Sequence, residues 1–359
     1  MKKITNLEFG SIIYFIIRAY FVGVSLNALL FISKQDNWIS ILFGIIIGII
    51  PLLLYIYIFN YEPDLDINKK NIKLFGKTIG NILNITIVFF TLILITTIFG
   101  NLVTIIHGDY LSKTPVLFIT ITFMIAIFYP CTKDINSIAR SCLIFFYASI
   151  FLVLISNIGL LVQLDVNNFK PIFFYKLDTI KGTFTYISFN TLPLYLINII
   201  PKNKIKNNNK TTKNILIFYV LANISLLVVS ICIIGILGIK MAILYQHPEF
   251  QILKHISIIG LSSRLDRILF IQWIIDILIF IIIGLYYVVN TTHIFINEKK
   301  NICLFIYCFI ISIVTLFITN NIFLNTLIAK KMPFIITITT IFFTILICLK
   351  IKHTKKIKR

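Results

Sequence analysis

Charge is what this sequence has least of. Only 13% of its 359 residues are charged, roughly half the share of a soluble domain, and acids are the scarcer sign, with 13 Asp and Glu against 33 Lys and Arg. The apolar residues come in long blocks, not short periodic stretches, which excludes an ordinary soluble domain. The six cysteines include no CxxC pair, which removes a disulfide framework. Five of them fall inside apolar blocks and Cys131 falls in a short connection. The five histidines have no HExxH or His-Cys spacing, so neither a metal nor a cofactor is implied. No phosphate-cradling glycine loop, paired carboxylates or GxSxG is present. The nearest acyltransferase feature, His107-Gly108-Asp109, lies in an external connection, and no enzyme is expected.

What is there is hydrocarbon. Hydrophobic residues make up 58% of the chain, about 208 positions, and ten crossings of ~20 residues would use ~200 of them. The fold class read from this is an all-α polytopic membrane protein with ten transmembrane helices, because lipid leaves only helices able to satisfy their own backbone. The spans are Phe9 to Ile32, Trp38 to Phe59, Ile79 to Ile106, Pro115 to Pro130 and Cys142 to Val162. The second half gives Thr183 to Ile200, Ile215 to Gly238, Ile268 to Val288, Ile302 to Thr319 and Pro333 to Leu349. The first apolar block is too long for a cleaved leader and reads as a retained span.

The charge of +20 has a membrane explanation rather than a nucleic-acid one, because the basic residues cluster between apolar blocks. Connections on the side of the N-terminus carry 21 Lys and Arg against 11 on the opposite side, with Arg18 inside the first span. Both termini are therefore expected in the cytoplasm. One integral membrane domain covers 1–359: a first five-helix repeat over 1–162, a second over 163–332 up to span 9, and the last span with its basic tail over 333–359. Two external connections, 163–181 and 239–267, are long enough to fold on the surface. The segment Pro248 to His255 has the mixed pattern of a short helix lying at the interface, or of a plain loop.

Arg18 stands out, since an arginine near mid-membrane costs roughly 2.5 kcal/mol or more and normally faces protein or water. At helical spacing it shares a face with Ser11, Tyr14, Val22 and Ser25, so that face should point inward unless Arg18 snorkels to the cytoplasmic side. Asp276 is the only acid well inside a span, one turn after Gln272 and near Trp273. Depth counting at ~1.5 Å per residue places the two within reach, so they should pair or face one cavity, as ligand contacts or as a purely structural pair.

Span 1 carries Gly23-Val24-Ser25 and span 6 carries Asn190-Thr191-Leu192-Pro193, each near its middle. Glycine permits close backbone approach, and Pro193 removes a donor and obstructs the preceding turn, so both spans are expected to be interrupted there. Interruption of the first span of each five-span half is the pattern of inverted-repeat transporters of the LeuT-like kind, whose half-helix ends hold a ligand at the midplane.

These features resemble the B-subunit family of nutrient germinant receptors of bacterial endospores (GerAB type), within the amino acid/polyamine/organocation transporter superfamily. The resemblance covers nearly the whole chain. It rests on Gly23, Asp36-Asn37-Trp38-Ile39, Gly76-Lys77-Thr78-Ile79-Gly80, Thr114-Pro115 and Ile138-Ala139-Arg140. Further matches are Asp165-Val166-Asn167-Asn168-Phe169-Lys170-Pro171, Ser263-Arg264-Leu265-Asp266 and Trp273-Ile274. It implies five-plus-five inverted repeats, and a small-nutrient pocket between spans 1, 3, 6 and 8. It also implies assembly with an A subunit and a lipoprotein C subunit in the spore inner membrane.

On that pattern Gly23, Val24 and Ser25 would supply backbone contacts to a nutrient such as an amino acid, with Asn190 and Thr191 opposite. The chain departs from the family at Ser25, where a second glycine is common, at Leu30, and at Leu194-Tyr195, where a small residue and Glu are usual. Arg18 is not part of the pattern. The leading expectation is a nutrient sensor whose ligand, through differential affinity, shifts the bundle between states. The runner-up is a proton- or sodium-coupled amino acid permease, with Asp276 as coupling site and Arg18 as carboxylate reader. A third reading is a structural partner with a degenerate pocket. The candidate ligand-binding residues are Arg18, Val22, Gly23, Val24, Ser25, Asn190, Thr191 and Asp276.

Overall fold

A computed structural model describes residues 3–174, 176–245, 247–253, 265–296, 299–319 and 321–357. Among them every named element is helical, and the one β-bridge joins Ile4 to Ile205. The helices are α1 (Asn6–Ala19), α2 (Leu26–Ser33), α3 (Asn37–Asn60), α4 (Ile67–Ile105), α5 (Val116–Cys131) and α6 (Ile135–Leu161). They continue as α7 (Lys176–Tyr186), α8 (Thr211–Leu244), α9 (Pro248–Leu253), α10 (Leu265–Ile296), α11 (Lys300–Thr319) and α12 (Ile322–Ile357).

Seven helical stretches are long and apolar enough to cross a bilayer: Leu26–Asn60, Ile67–Tyr110, Ile135–Leu161, Thr211–Leu244, Phe270–His293, Lys300–Thr319 and Phe334–Lys355. The three other expected crossings are shorter or broken. Helix α5 has 16 residues. Span 1 is divided into α1, a π-helical turn at Phe21–Ser25 and α2, and span 6 into α7, a π-helical turn at Ile187–Thr191 and a 3₁₀ segment at Leu192–Ile199.

Helix α1 forms the centre of the bundle. It begins on a capping box in which the Glu8 amide donates to Thr5 Oγ1 at 3.2 Å and the Thr5 amide to Glu8 Oε2 at 2.6 Å. From Glu8 to Ala19 every side chain is buried, packed among α6, α8 and α10. Outside this core lie α5, α11 and α12, whose exposed Phe118, Phe305 and Phe342 form part of the surface offered to lipid. Helices α4 and α10 pack closely, because a Cβ on Gly284 would sit only 2.8 Å from Ile95 Cδ1. Without water to drive association, such close approach is what holds membrane helices together.

Several boundaries differ from the sequence reading. Helix α4 starts at Ile67, twelve residues before the expected Ile79, and bends where Gly76 takes φ +80°, so the Gly76-Lys77-Thr78-Ile79-Gly80 motif marks a kink inside a helix. Helix α8 continues past Gly238 (φ +66°) to Leu244. Cys131 closes α5 and is not in a loop. His107-Gly108-Asp109 lies on a π-helical extension of α4, with His107 Nδ1 3.1 Å from the Thr114 carbonyl. Helix α9 is not a surface helix: Pro248, Glu249, Phe250, Ile252 and Leu253 are buried against α8 and α10. Lys254, His255, Ser263 and Arg264 lie outside the described residues.

The connections sort onto two ends. At one end the Ile4 amide donates to the Lys204 carbonyl at 2.9 Å, the Lys206 amide to the Ile4 carbonyl at 2.8 Å, and the Asn203 amide to the Pro63 carbonyl at 3.0 Å. At the other end two of the resemblance motifs, far apart in sequence, come together. The Phe173 amide donates to Asp36 Oδ1 at 2.7 Å, Gln35 Nε2 to the Pro171 carbonyl at 3.3 Å, and Trp38 packs edge-on to Phe169. Asn168 Nδ2 then ties this loop to the Gly235 carbonyl of α8 at 2.8 Å.

Candidate functional site

The two interrupted spans meet. In span 1 the Ser25 amide reaches back five residues to the Tyr20 carbonyl at 3.0 Å, which widens the helix around Gly23 into a π turn. In span 6 the ring of Pro193 obstructs the turn before it and supplies no amide, and there α7 gives way to π and then 3₁₀ geometry. Ser25 Oγ donates to Asn190 Oδ1 at 2.9 Å, and Asn190 Nδ2 donates to the Ile17 carbonyl at 3.0 Å. All of these groups are buried, so each hydrogen bond is made where water cannot replace it.

Thr191 lies next to this junction, its Oγ1 3.5 Å from Tyr219 Oη, which donates to the Ile45 carbonyl at 3.0 Å. Helix α3 approaches both through Gly48, where any Cβ would collide with Tyr219 Oη and Thr191 Oγ1. On the other flank Tyr20 stacks on Phe189 at 5.5 Å, meets Phe280 edge-on at 5.4 Å and donates to the Leu94 carbonyl. Tyr20 thereby joins spans 1, 3, 6 and 8, the four that the resemblance implies for a pocket. Val24 is buried in the same turn. The side chains of Val22 and Gly23 lie outside the described residues, although their backbone belongs to the π turn.

A second polar group lies nearby. Arg18 Nε donates to Asp276 Oδ2 at 2.9 Å, with side-chain exposures of 2% and 0%, so the arginine is paired inside the bundle and does not snorkel. Its Nη1 donates to Ser225 Oγ, and its guanidinium carbon lies 5.0 Å from the Tyr14 ring centroid. Gln272 Nε2 lies 3.4 Å from the same Asp276 oxygen. Around the pair the buried Asp276 Oδ1 has no partner within hydrogen-bond geometry, and the buried Tyr14 and Ser149 hydroxyls approach each other without reaching it. Arg18 and Gln272 also line a cavity of about 10 Å³, room for about one water. Helix α9 covers it with Ile252 and Leu253, and Phe250 anchors that helix on Phe270 and Trp273 at 4.5 and 4.6 Å.

The structure thus gathers the predicted residues into two adjacent groups. Ser25 and Asn190 bond to each other with Thr191 beside them, while Arg18 and Asp276 bond to each other. Sequence reasoning missed Tyr20, Ser225, Tyr219 and the pair Tyr186–Asn223, in which Tyr186 donates to Asn223 Oδ1. The available signal was the run of polar residues at positions 219, 223 and 225 in an otherwise apolar span 7. Among the described residues no three His, Cys, Asp or Glu side chains converge on one point.

The arrangement offers broken backbone, hydroxyls and an amide at the meeting of two interrupted helices, with an ion pair one turn away. Such a site suits binding and conformational change rather than bond making. No protein of curated function matches the chain significantly. A model of spore germination proteins, of the spore permease type, matches residues 9–324, which take in both interrupted spans, Arg18 and Asp276. The chain belongs to the spore germination protein family, a family of integral membrane, permease-like proteins.

Proposed function

We propose that this protein is the membrane-embedded nutrient-sensing subunit of a spore germinant receptor. In this reading a small nutrient such as an amino acid binds where the two interrupted spans meet, between the backbone of Val22, Gly23, Val24 and Ser25 and the side chains of Asn190 and Thr191. The observation that supports it most directly is the Ser25–Asn190–Ile17 hydrogen-bond chain across the two breaks. A ligand carboxylate or amine would replace these bonds, and the difference in their strength between empty and occupied states is what drives a switch. Partner A and C subunits in the spore inner membrane would convert that switch into germination.

The architecture proposed for this function is ten crossings in two five-helix repeats, over 1–162 and 163–332, followed by the last span and basic tail over 333–359. Both termini lie in the cytoplasm. The seven long helices, the shorter α5 and the two broken spans supply ten crossings. The grouping of the N-terminus with the loops at 63 and 203–206, opposite the loops at 35–36 and 165–173, agrees with that alternation. The excess of Lys and Arg on the first side sets the orientation.

A second reading, a proton- or sodium-coupled amino acid permease, draws on a different observation: the buried Arg18–Asp276 pair, with one carboxylate oxygen unmatched. The deciding experiment places wild-type and Gly23→Trp proteins in spores lacking the native gene, and wild type in proteoliposomes. A sensor loses nutrient-triggered germination on Gly23→Trp and shows no amino acid uptake. Uptake down an ion gradient establishes the permease, and intact germination with Gly23→Trp establishes a structural partner with no working pocket.

A further inference from the structure

A second cavity, of about 40 Å³, lies away from both polar groups, between α3, α4, α10, α12 and the 3₁₀ half of span 6. Where ~10–15 Å³ accommodates one water, this is room for about three water-sized groups. Its walls are chiefly aromatic and aliphatic, including Tyr55, Phe90, Tyr195, Phe343 and Ile347. None of its lining residues is charged.

Most polar groups in the wall are already spent. Tyr55 Oη donates to the Leu192 carbonyl at 3.0 Å, and Tyr195 Oη pairs with Thr91 Oγ1 at 2.5 Å. Thr339, Thr340 and Thr344 each donate to a carbonyl one turn back in α12. Two are not spent. Asn198 Oδ1 and Tyr287 Oη are buried, line the cavity and have no partner within hydrogen-bond geometry. Thr291, one turn beyond Tyr287, donates to the Tyr287 carbonyl and accepts from Asn68 Nδ2, and its hydroxyl approaches Tyr287 Oη without reaching hydrogen-bond geometry. Leaving such groups bare in a low-dielectric interior is unfavourable, so the cavity is built for an occupant that pairs with them.

The mouth identifies where the occupant comes from. It lies between α4 and α12, where the lining residues Ile87, Phe90, Thr339 and Phe343 are partly exposed. Around it Phe89, Ile338 and Phe342 are 58%, 67% and 57% exposed, an apolar rim of the kind that faces acyl chains. A phospholipid acyl chain alone would leave Asn198 and Tyr287 unpaired. A charged head group would meet no countercharge in the wall. A hydroxyl carries both complements, a donor for Asn198 Oδ1 and an acceptor for the Tyr287 phenol.

We infer that the cavity between α4, α12 and the inner half of span 6 is a second binding site, entered from the lipid, for a small neutral amphiphile with a hydroxyl head group. Tyr195 and Asn198 belong to the 3₁₀ segment that follows the break, so, on the proposed function, an occupant would bear on the element that nutrient binding moves.

The test uses the full-length protein in lipid nanodiscs, photolabelled with a diazirine-bearing octanol and mapped by mass spectrometry, with no nutrient present. Labelling is expected on peptides containing Tyr287 or Phe343, displaced by excess n-octanol and not by octane. Tyr287→Phe combined with Asn198→Leu should lower it about tenfold, the effect of losing two modest hydrogen bonds. Thr340→Trp, which fills the mouth side while leaving both polar residues in place, should abolish it and serves if the double variant does not fold. Octane displacing the label as well as octanol does, or label spread over all lipid-facing helices without competition, would overturn the inference.

Discussion

Arg18 and Asp276 lie 258 positions apart in the chain, yet Arg18 Nε sits 2.9 Å from Asp276 Oδ2, and neither side chain reaches the surface. The pair joins α1 to α10, with Ser225 of α8 as a third member, so it locks the first span to two helices of the second half. Both charges sit where isolated charges are costly, and each neutralises the other.

Breaking this pair from one side should therefore be worse than removing it. Arg18→Met or Asp276→Leu alone should cost about 3–5 kcal/mol, while the double variant recovers much of that loss. The charge swap of Arg18→Asp with Asp276→Arg should likewise recover folding lost in either single variant. Thermal stability in detergent, read by size-exclusion fluorescence, supplies the cycle. Additive losses would mean that the two residues act independently.

Asn190 bridges the two broken spans through both ends of its amide. Asn190→Ala removes two hydrogen bonds and strands the buried Ile17 carbonyl and Ser25 hydroxyl, for a loss of about 1–3 kcal/mol. Its larger effect should fall on function: the germinant dose–response of spores carrying it should shift by more than tenfold at unchanged protein level. An unchanged dose–response would separate the junction from nutrient sensing.

Gly48 is where α3 comes up against Thr191 and Tyr219, and nothing lies within 4 Å of a Cβ built on Gly108. Gly48→Val should therefore push span 6 from its seat and cost about 1–3 kcal/mol, the usual range for overpacking, whereas Gly108→Ala should be nearly neutral. Membrane yield and melting temperature of the two variants, side by side, check the contrast.

Sidedness is open to direct labelling. In a cysteine-free background, Lys206→Cys should react with a membrane-impermeant maleimide only from the cytoplasmic side and Asn167→Cys only from the other. Reaction of both from one side would contradict ten crossings.

Much of this was legible in the sequence because lipid is an unforgiving solvent. Arg18 and Asp276 are conspicuous because charges are rare at that depth, and counting residues from each span's middle already brought them within reach of each other. Gly23 and Pro193 announced the breaks because glycine and proline act on the backbone locally, whatever surrounds them. The span ends were less legible. Ile67 to Phe75 reads as a polar connection by composition but folds as about two and a half helical turns before the bend at Gly76. Helix α9 reads as amphipathic but is buried, Glu249 included, because α8 and α10 leave it a place inside.

The sequence by itself determined a helical membrane protein, its family, the sites of the two breaks and the charged residues that must find partners. The family follows from the resemblance of motifs in their order; the rest follows from local chemistry, that is hydropathy, the backbone limits of glycine and proline, and the cost of charge in hydrocarbon. Tertiary structure alone decided which partner each residue takes. Ser225 completes the ion pair, Asn190 holds the Ile17 carbonyl, Tyr20 gathers four spans, and Asn198 and Tyr287 come to line one cavity with their polar atoms unpaired. Those choices depend on how helices distant in the chain rotate and approach one another. Shape-matched packing sets that geometry, and an apolar run of residues does not specify it locally.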